Sequence, residues 1–377
     1  MKIAIEARPI KWSYGTGIGN YTYCLIEKLG ELDQENEYTF LWTDQHPEAY
    51  IPFSRPYSFY ALPKDDQREE NEIPLWLAQE KADLFHLPQN GFRTPKPQPH
   101  TKLIVTIHDL IPYFMPEIVR PSFLKRFLTE MPEIVTRADK IVTVSEFSKN
   151  DLINVFQLNP TKINVIPSAP ARTYTPQIHT KVVELLYQKY QFKRPYILYT
   201  GGLNPRKNVA ELISAYAKVY PKLPQGQQLI IMGPEGKHQE QLKLLATALQ
   251  LQTEVIFPGF VSNEDLPLFY NGADLFVYPS LYEGFGLPPI EAMSCGIPVI
   301  TSNVSSLPEV AGEAALQINP HDTLELAETI YRVLTDNKLR KSMITNGFKQ
   351  SQKYTWSENA RQMLALYQEV VGENRVK

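Results

Sequence analysis

Short runs of apolar residues alternate with longer segments of helical period along the whole chain. In the first half the strands predicted from this pattern are 3–5, 38–43, 83–87, 102–108, 140–144 and 163–166, with helices at about 20–30 and 121–137. Continuous apolar strands separated by helices are typical of parallel strands that are buried on both faces. The pattern therefore predicts a doubly wound α/β domain.

The alternation stops at residues 167–180, where three prolines lie in a polar stretch, and then restarts. The strands predicted after this break are 196–200, 228–232, 255–257, 275–278, 298–301 and 316–318, with helices at 207–220, 238–249, 288–295, 322–335, 338–350 and 357–371. We therefore predict two Rossmann-like domains, at 1–180 and 181–356. A ligand is expected in the cleft between them, at the carboxyl ends of strands.

Composition narrows the class of function. The net charge of the 377-residue chain is −3, so no nucleic-acid partner is expected. The two cysteines, Cys24 and Cys295, lie far apart and form neither a disulfide framework nor a zinc motif. No apolar run reaches the roughly 20 residues that cross a bilayer, and charges come too early for a signal peptide. We expect a cytoplasmic protein and leave open peripheral contact with the inner face of the membrane.

A glycine-rich turn follows the first predicted strand and opens a helix. Residues 15–20 read Gly-Thr-Gly-Ile-Gly-Asn, with Gly17 in the middle. Glycines let backbone N–H groups approach a phosphate, and a helix N-terminus favours negative charge. The spacing is not the dinucleotide fingerprint, and Asp44, an acidic residue that could bind a ribose, lies farther away than the roughly 20 positions of that motif. A phosphate site and a tight turn without a ligand both remain open.

Two cations stand at the corresponding strand-to-helix turn of the second half. Residues 201–208 read Gly-Gly-Leu-Asn-Pro-Arg-Lys-Asn, which places Arg206 and Lys207 at the start of the predicted helix. Cations in a first turn oppose the helix dipole, so an anionic ligand is the economical explanation. Arginine can bind a diphosphate as a bidentate donor and lysine as a point charge. The alternative is a pair of solvated surface cations.

Two carboxylates, Glu283 and Glu291, lie on either side of a glycine-rich turn that follows a predicted strand. A carboxylate can accept several hydroxyl hydrogen bonds, which suits the diol of a sugar or a ribose. The turn would also offer backbone N–H groups at a helix start. These donors belong to Gly284, Phe285, Gly286 and Leu287. Helix capping and a solvated helix face are the structural alternatives.

His108 ends a predicted strand of the first half and should face the same cleft. Its imidazole could hydrogen-bond a sugar or a phosphate, or carry a proton. The chain has no D-x-D motif and no His, Cys or carboxylate cluster with the spacing of metal ligands. We therefore expect neither a bound metal nor a cofactor.

The whole chain resembles the retaining, GT-B-fold glycosyltransferases of family 4, also called group 1. An E-x7-E motif at 283–291 carries most of this resemblance, together with Pro279-Ser280 before it and Pro308-Glu309-Val310 after it. The stretches at 108–112, 201–208 and 302–310 resemble bacterial mannosyltransferases of O-antigen and exopolysaccharide pathways. Two departures stand out: Gly202 occupies a position where many relatives have arginine, and Ser168-Ala169 replaces Asn-Gly.

The resemblance implies a role for each motif. Glu291 would bind the ribose hydroxyls, and Glu283 would lie beside the donor sugar and the reacting centre. His108 would belong to the catalytic residues. The remaining implied contacts are Arg206, Lys207, Gly17 and residues 284–287 for the sugar and diphosphate, and Phe260 and Val261 for the base.

The implied activity is the transfer of a hexose, with mannose expected, from a nucleoside diphosphate sugar such as GDP-mannose to a glycan or polyprenyl-linked glycan. The first domain would bind the acceptor and the second the donor, with the helix at 357–371 packing back on the first domain. A nucleotide-sugar-binding protein, a GT-B-fold epimerase and an NAD-linked oxidoreductase are the alternatives. The missing dinucleotide fingerprint argues against the last, and the oligomeric state is left open.

Overall fold

The computed structural model describes residues 1–13, 16–44, 46–62, 66–92, 100–190, 195–224, 226–259 and 261–372. The chain forms two compact units. Unit 1 contains Met1–Ala169 and Thr355–Lys377, and unit 2 contains Pro170–Tyr354.

In the described part of unit 1, seven parallel strands form one sheet in the order β3-β2-β1-β4-β5-β6-β7. They are β1 (Lys2–Glu6), β2 (Glu37–Trp42), β3 (Ser58–Ala61), β4 (Leu84–Leu87), β5 (Lys102–Thr106), β6 (Lys140–Thr143) and β7 (Ile163–Val165). The helices between them are α1 (Pro9–Trp12), α2 (Gly17–Leu32), α3 (Asp66–Glu80), α4 (Ile111–Phe114), α5 (Pro121–Arg137) and α6 (Glu146–Phe156). The order of the strands reverses between β1 and β4.

The described strands of unit 2 form a second parallel sheet, in the order β10-β9-β8-β11-β12-β13. They are β8 (Tyr196–Thr200), β9 (Gln228–Met232), β10 (Val255–Ile256), β11 (Leu275–Tyr278), β12 (Val299–Ser302) and β13 (Leu316–Ile318). The accompanying helices are α7 (His179–Tyr190), α8 (Val209–Val219), α9 (Lys237–Ala248), α10 (Leu266–Gly272), α11 (Leu287–Ser294), α12 (Leu307–Ala311), α13 (Thr323–Thr335) and α14 (Asn337–Ser351). The order reverses between β8 and β11.

The central strands have no exposed face, because helices cover the sheet on both sides. Every residue of β8, β11 and β12 is buried. Such strands must be apolar throughout, which explains the continuous runs in the sequence. The predicted α/β class with two Rossmann-like sheets is confirmed.

The final helix, α15 (Trp356–Gly372), belongs to unit 1. The ring of Trp356 lies 5.5 Å from that of Tyr21 on α2. The Tyr367 hydroxyl lies 2.6 Å from Nδ1 of the buried His86 on β4. These contacts bury the apolar face of α15. Within the described residues, none of the helices combines the length and apolarity needed to cross a bilayer.

The structure corrects two predictions about the elements and adds a strand and a helix that the pattern does not predict. Helix α8 begins at Val209 rather than at residue 207, because Asn208 adopts a left-handed conformation with φ 57°. The boundary falls at residue 170 rather than at 180, since the Asn271 side chain bonds the main chain at Thr175 and Gln177. Strand β3 and helix α3 were not expected. Neither segment has a clear pattern of apolar residues in the sequence, because β3 is a half-exposed edge strand and α3 contains Pro74.

Candidate active site

The topology of unit 2 brings Arg206, Lys207 and Glu283 together. The two cations lie in the turn after β8, and Glu283 lies in the turn after β11. These strands are neighbours at the point where the strand order reverses. In open parallel sheets, the carboxyl ends at such a point form the usual ligand site.

Glu283 is the centre of a buried charge cluster. Its Oε1 lies 2.8 Å from Arg206 Nη1 and 2.6 Å from Lys207 Nζ. The Ser280 and Tyr278 hydroxyls donate to the same oxygen at 2.6 and 3.0 Å. The three charged residues are buried, and their formal charges sum to +1. The cluster can therefore attract an anion without exposing a bare cation.

The environment keeps Glu283 ionised. Burial by itself raises the pKa of this carboxyl, but the charges of Lys207 and Arg206 outweigh burial and hold the pKa at about 2. At neutral pH the side chain is consequently an anion that can stabilise positive charge. It is not a proton donor.

Hydrogen bonds also join the two turns directly. The Leu281 N–H donates to the Arg206 carbonyl at 2.8 Å, and Arg206 Nη1 donates to the Tyr282 carbonyl. Lys207 Nζ lies 2.5 Å from the Tyr278 hydroxyl. These contacts place both cations before α8 rather than inside its first turn. The prediction that both cations follow the strand is therefore confirmed, but they lie in the turn before α8 and not in the helix itself.

The glycine-rich turn is fixed by serines that come from the next loop. The Ser306 hydroxyl donates to the carbonyls of Glu283 at 2.9 Å and Phe285 at 2.8 Å. The Glu283 N–H donates to the Ser305 hydroxyl at 3.1 Å. Gly286 has φ +98°, and a Cβ there would lie 2.6 Å from Leu307 Cδ2. The turn therefore needs glycine at this position, immediately before α11 begins at Leu287.

Glu291 lies within α11 in a different environment. It is half-buried, and the Tyr270 hydroxyl donates to its Oε2 at 2.8 Å. The Tyr174 phenol also faces this carboxyl. Both phenols favour the ionised form, but burial outweighs them and raises the pKa of Glu291 to about 7. The side chain can accept hydroxyl hydrogen bonds, most effectively when it is ionised.

Unit 1 holds the other two predicted residues, Gly17 and His108. Gly17 is the first residue of α2, and a Cβ there would meet no atom within 4 Å. His108 follows β5; its Nε2 lies 3.0 Å from the Pro88 carbonyl, which can only accept, so Nε2 carries the proton. Burial lowers the pKa of His108, although the Pro88 carbonyl opposes that shift. The neutral ring then presents Nδ1 as an acceptor.

The predicted base contacts are only partly described. Val261 is half-buried after β10, whereas Phe260 lies outside the described residues. Across the described parts of the chain, no group of three or more His, Cys, Asp or Glu side chains is arranged to hold a metal ion.

Several residues of the site were given no role in it by the sequence analysis. They are Thr200, Tyr270, Tyr278, Ser280, Ser305 and Ser306, all of which bond a predicted residue or one of its partners. Ser280 and the pair Ser305-Ser306 do follow predicted strands, and this position was the available signal. The tyrosines read as apolar core residues, because a hydroxyl at the end of a buried ring leaves no mark on the pattern.

Residues 15–169 match the family model "Glycosyltransferase Family 4", and residues 186–350 match "Glycosyl transferases group 1". The chain is 30% identical to O-antigen chain mannosyltransferase B of Escherichia coli, over 97% of this chain and 99% of that protein. The chain belongs to the family 4 glycosyltransferases. This glycosyltransferase is also 32% identical to the serotype-specific mannosyltransferase WbdA of Escherichia coli, over 69% of this chain but only 32% of WbdA. The chain thus spans about a third of WbdA.

Solved structures identify the fold of this glycosyltransferase as GT-B. Sucrose-phosphate synthase from Thermosynechococcus elongatus superposes with a TM-score of 0.77 at 21% identity, covering 99% of this chain and 100% of the other. HepE of Anabaena in complex with UDP-glucose gives a TM-score of 0.76 at 18% identity, covering 98% and 100%. At these identities the likeness establishes the fold alone.

Proposed function

We propose that this glycosyltransferase transfers mannose from GDP-mannose, with retention of configuration, to a glycan or a polyprenyl-linked glycan. The observation that carries the donor assignment is the buried cluster of Arg206, Lys207 and Glu283 at the strand-order reversal of unit 2, with a formal charge of +1. The choice of mannose is supported by the O-antigen mannosyltransferase that matches nearly the whole chain.

Lys207 and Arg206 hold the diphosphate in this proposal, and the backbone N–H groups of 284–287 support the phosphate and the sugar. Cleavage of the sugar–phosphate bond increases the negative charge on the leaving diphosphate. Preorganised cations in a buried site stabilise that charge without reorganisation at the moment of reaction. Gly17, at the N-terminus of α2, is the phosphate-binding position that we assign to unit 1.

Glu283 acts at the sugar centre, which becomes oxocarbenium-like as the bond breaks. Its ionised carboxylate stabilises the developing positive charge, in keeping with a pKa of about 2. The leaving phosphate accepts the proton of the acceptor hydroxyl, so attack comes from the face that the leaving group occupies. Glu291 binds the ribose, His108 offers Nδ1 to a sugar hydroxyl, and Phe260 and Val261 contact the base.

Unit 1 binds the acceptor in this proposal and contacts the membrane surface peripherally. Phe114 on α4 and Phe123 and Leu128 on α5 are exposed, and so is Lys125, three positions before Leu128 on α5. An apolar surface flanked by basic residues suits an interface with anionic lipid. Flotation with vesicles of phosphatidylcholine and phosphatidylglycerol tests this contact. Protein that stays wholly in the free fraction would contradict it.

The function is tested by incubation with GDP-mannose or UDP-glucose, with and without a polyprenyl-diphosphate-linked sugar. We expect acceptor-dependent release of GDP and an α-linked mannosyl product from the α-linked donor. Glu283→Gln should abolish this release, whereas Glu240→Gln, on an exposed position of α9, should not. Binding without release would favour a nucleotide-sugar-binding protein, and conversion of the sugar without acceptor would favour an epimerase. A β-linked product would exclude retention.

A further inference from the structure

Two phenols from different segments hold the carboxylate of Glu291. Tyr270 on α10 donates to Oε2 at 2.8 Å. Tyr174 reaches the same carboxylate from the segment that follows the boundary of the units. The rings of the two tyrosines meet edge to face with their centroids 5.4 Å apart. The phenols are thus packed against each other and face one carboxylate.

The direction of these hydrogen bonds follows from the chemistry of the groups. An ionised carboxylate only accepts, so the Tyr270 proton points to Glu291. The Thr200 hydroxyl, 2.7 Å from that of Tyr270, then donates to the Tyr270 oxygen. A chain of oriented hydroxyls therefore runs from the end of β8 to the carboxylate.

The segment that carries Tyr174 is hydrogen-bonded to α10, the helix that carries Tyr270. Asn271, the residue after Tyr270, donates its Nδ2 to the Thr175 carbonyl at 3.0 Å. Its Oδ1 accepts the Gln177 N–H at 2.8 Å. Because Asn271 is buried, α10 fixes the positions of both phenols.

The number of acceptor positions on Glu291 matches a diol. A carboxylate offers about four lone-pair positions. The Tyr270 hydroxyl occupies one of them, and the Tyr174 phenol faces the same group. The remaining positions are enough for the 2′ and 3′ hydroxyls of a nucleotide. The half-buried side chain still reaches solvent, so a ligand can approach it. The titratable groups that face it are Tyr270 of α10, Tyr174 of the segment after the boundary and Cys295, the residue that follows α11.

We propose that Tyr174 and Tyr270 are positioning residues for the donor ribose: together they orient the Glu291 carboxylate toward the 2′ and 3′ hydroxyls and so determine preference for ribonucleotides over 2′-deoxynucleotides. This inference rests on the proposed function, in which Glu291 binds the ribose. Removing either phenol leaves one contact fewer to hold the orientation of the carboxylate. Each phenol also favours the ionised form of Glu291, so removing it raises the pKa of that carboxyl further.

The test is a comparison of affinities by titration calorimetry for GDP and 2′-deoxy-GDP, and for UDP and 2′-deoxy-UDP. The proteins are the full-length chain, Tyr174→Phe, Tyr270→Phe and the control Tyr216→Phe. Tyr216 is a buried tyrosine of the same unit whose hydroxyl bonds the Gln227 carbonyl at 2.7 Å. Each affinity is measured from pH 6 to pH 9.

We expect the unmodified chain to bind its ribonucleotide at least about tenfold more tightly than the 2′-deoxy form, as loss of a hydrogen bond to a charged group predicts. In Tyr174→Phe and Tyr270→Phe this ratio should fall to about threefold or less, and the midpoint of the pH dependence should rise. Tyr216→Phe should keep both values. A merely structural role would change neither the ratio nor the midpoint.

Three results would overturn the inference. An unchanged ratio in both variants, with ribonucleotide binding intact, would contradict the positioning role alone. Tighter binding by Tyr174→Phe would mean that the phenol occupies the place of a ribose hydroxyl. If the unmodified chain binds neither GDP nor UDP, the proposed function fails and the inference fails with it.

Discussion

Glu283 and Glu291 flank one glycine-rich turn and have opposite environments. Two cations and two hydroxyls surround Glu283, and its pKa is about 2. Phenols face Glu291, and burial raises its pKa to about 7. Pairs of carboxyls whose surroundings separate their pKa values commonly have different chemical roles. The difference supports a charge-stabilising role for Glu283 and a hydroxyl-binding role for Glu291.

Replacing Glu291 by Gln should stabilise the protein at high pH. Its pKa rises from 4.5 to about 7 on folding, so the native state retains a proton that the unfolded chain releases between these values. The resulting stability is fully present below pH 4.5 and is lost as the pH rises to about 7. At pH 8 the ionised carboxylate therefore costs stability, and Glu291→Gln should raise the melting temperature by about 2–4 °C.

Thermal melts at pH 4.5 and pH 8 check this expectation, with Glu240→Gln as the exposed control. The gain from Glu291→Gln should vanish at the lower pH. If Glu291→Gln melts at a lower temperature than the unmodified chain at pH 8, the ionised Glu291 carboxylate does not destabilise the folded protein, and the expectation is wrong.

Replacing Glu283 by Gln should have the opposite effect on stability. The substitution leaves Arg206 and Lys207 buried beside a neutral group, and removing one partner of a buried ion pair costs about 3–5 kcal/mol. Because the pKa of Glu283 is lowered, its contribution is present above pH 4.5 and is lost as the pH falls toward about 2. Urea unfolding at pH 7.5 measures the change.

A double variant tests whether the loss of stability in Glu283→Gln comes from the unpaired cations. Glu283→Gln combined with Lys207→Gln should recover part of the lost free energy of unfolding, because one unpaired cation is removed with the carboxylate. Equal urea midpoints for Glu283→Gln and the unmodified chain would contradict the charge cluster as described.

At the scale of the elements, the sequence predicted what depends on local pattern. Strands β8, β9, β11 and β13 were predicted to the residue, as was helix α5, because apolar runs and a clear helical period define them. The start of α8 could not be predicted, since it depends on the left-handed backbone of Asn208. The side-chain Nδ2 of Asn208 donates to the Pro320 carbonyl at 2.7 Å, and this partner lies 112 positions away in the sequence.

For the site too, the sequence predicted the local motifs but not the contacts between them. The turns after β8 and β11 carry sequence motifs, and sheet topology alone makes them neighbours. The direct ion pairing of Arg206 and Lys207 with Glu283 was not foreseen, because it depends on side-chain conformations in two separate turns. Tyr174 and Tyr270 were missed because a hydroxyl does not change the apolar pattern of its segment.

Two glycines in predicted phosphate loops should respond differently to alanine. Gly286→Ala forces a side chain into φ +98° and places Cβ 2.6 Å from Leu307, so it should cost about 1–3 kcal/mol of stability. Gly17→Ala meets no atom within 4 Å at a helix start, so the melting temperature should stay within about 1 °C. Melts of both variants check the contrast. A large loss of stability in Gly17→Ala would contradict the open surroundings of that turn.

The Gly17→Ala variant also tests the proposed phosphate contact at the N-terminus of α2. If Gly17 lets the backbone approach the diphosphate, Gly17→Ala should weaken binding of the donor although stability is unchanged. Donor affinity equal to that of the unmodified chain would remove Gly17 from the donor site.

At the scale of the whole molecule, the small net charge contrasts with a positive charge that is held in one buried cluster. The net charge is only −3, yet a buried cluster of formal charge +1 lies at the carboxyl edge of one sheet. Bulk electrostatics therefore contributes little to attracting an anionic donor, and the cluster itself must provide the attraction. Donor binding should weaken with salt less than binding to an exposed basic patch does.

Transfer should not require a divalent metal, because Arg206 and Lys207 supply the charge that a metal would otherwise bring to the diphosphate. The sequence also lacks a D-x-D motif. Activity in excess chelator should equal that in magnesium, within about twofold. Loss of activity in chelator and its return with magnesium or manganese would contradict this expectation.

The central claim is that Glu283 acts in turnover and Glu291 in donor binding. Steady-state kinetics of Glu283→Gln and Glu291→Gln with the nucleotide sugar tests this claim most directly. Both variants are assayed well below their melting temperatures. Glu283→Gln should lower kcat about 100-fold or more with a donor KM changed less than about threefold. Glu291→Gln should raise that KM about tenfold to 100-fold with a smaller change in kcat. A Glu283→Gln variant that keeps the full kcat would contradict the claim.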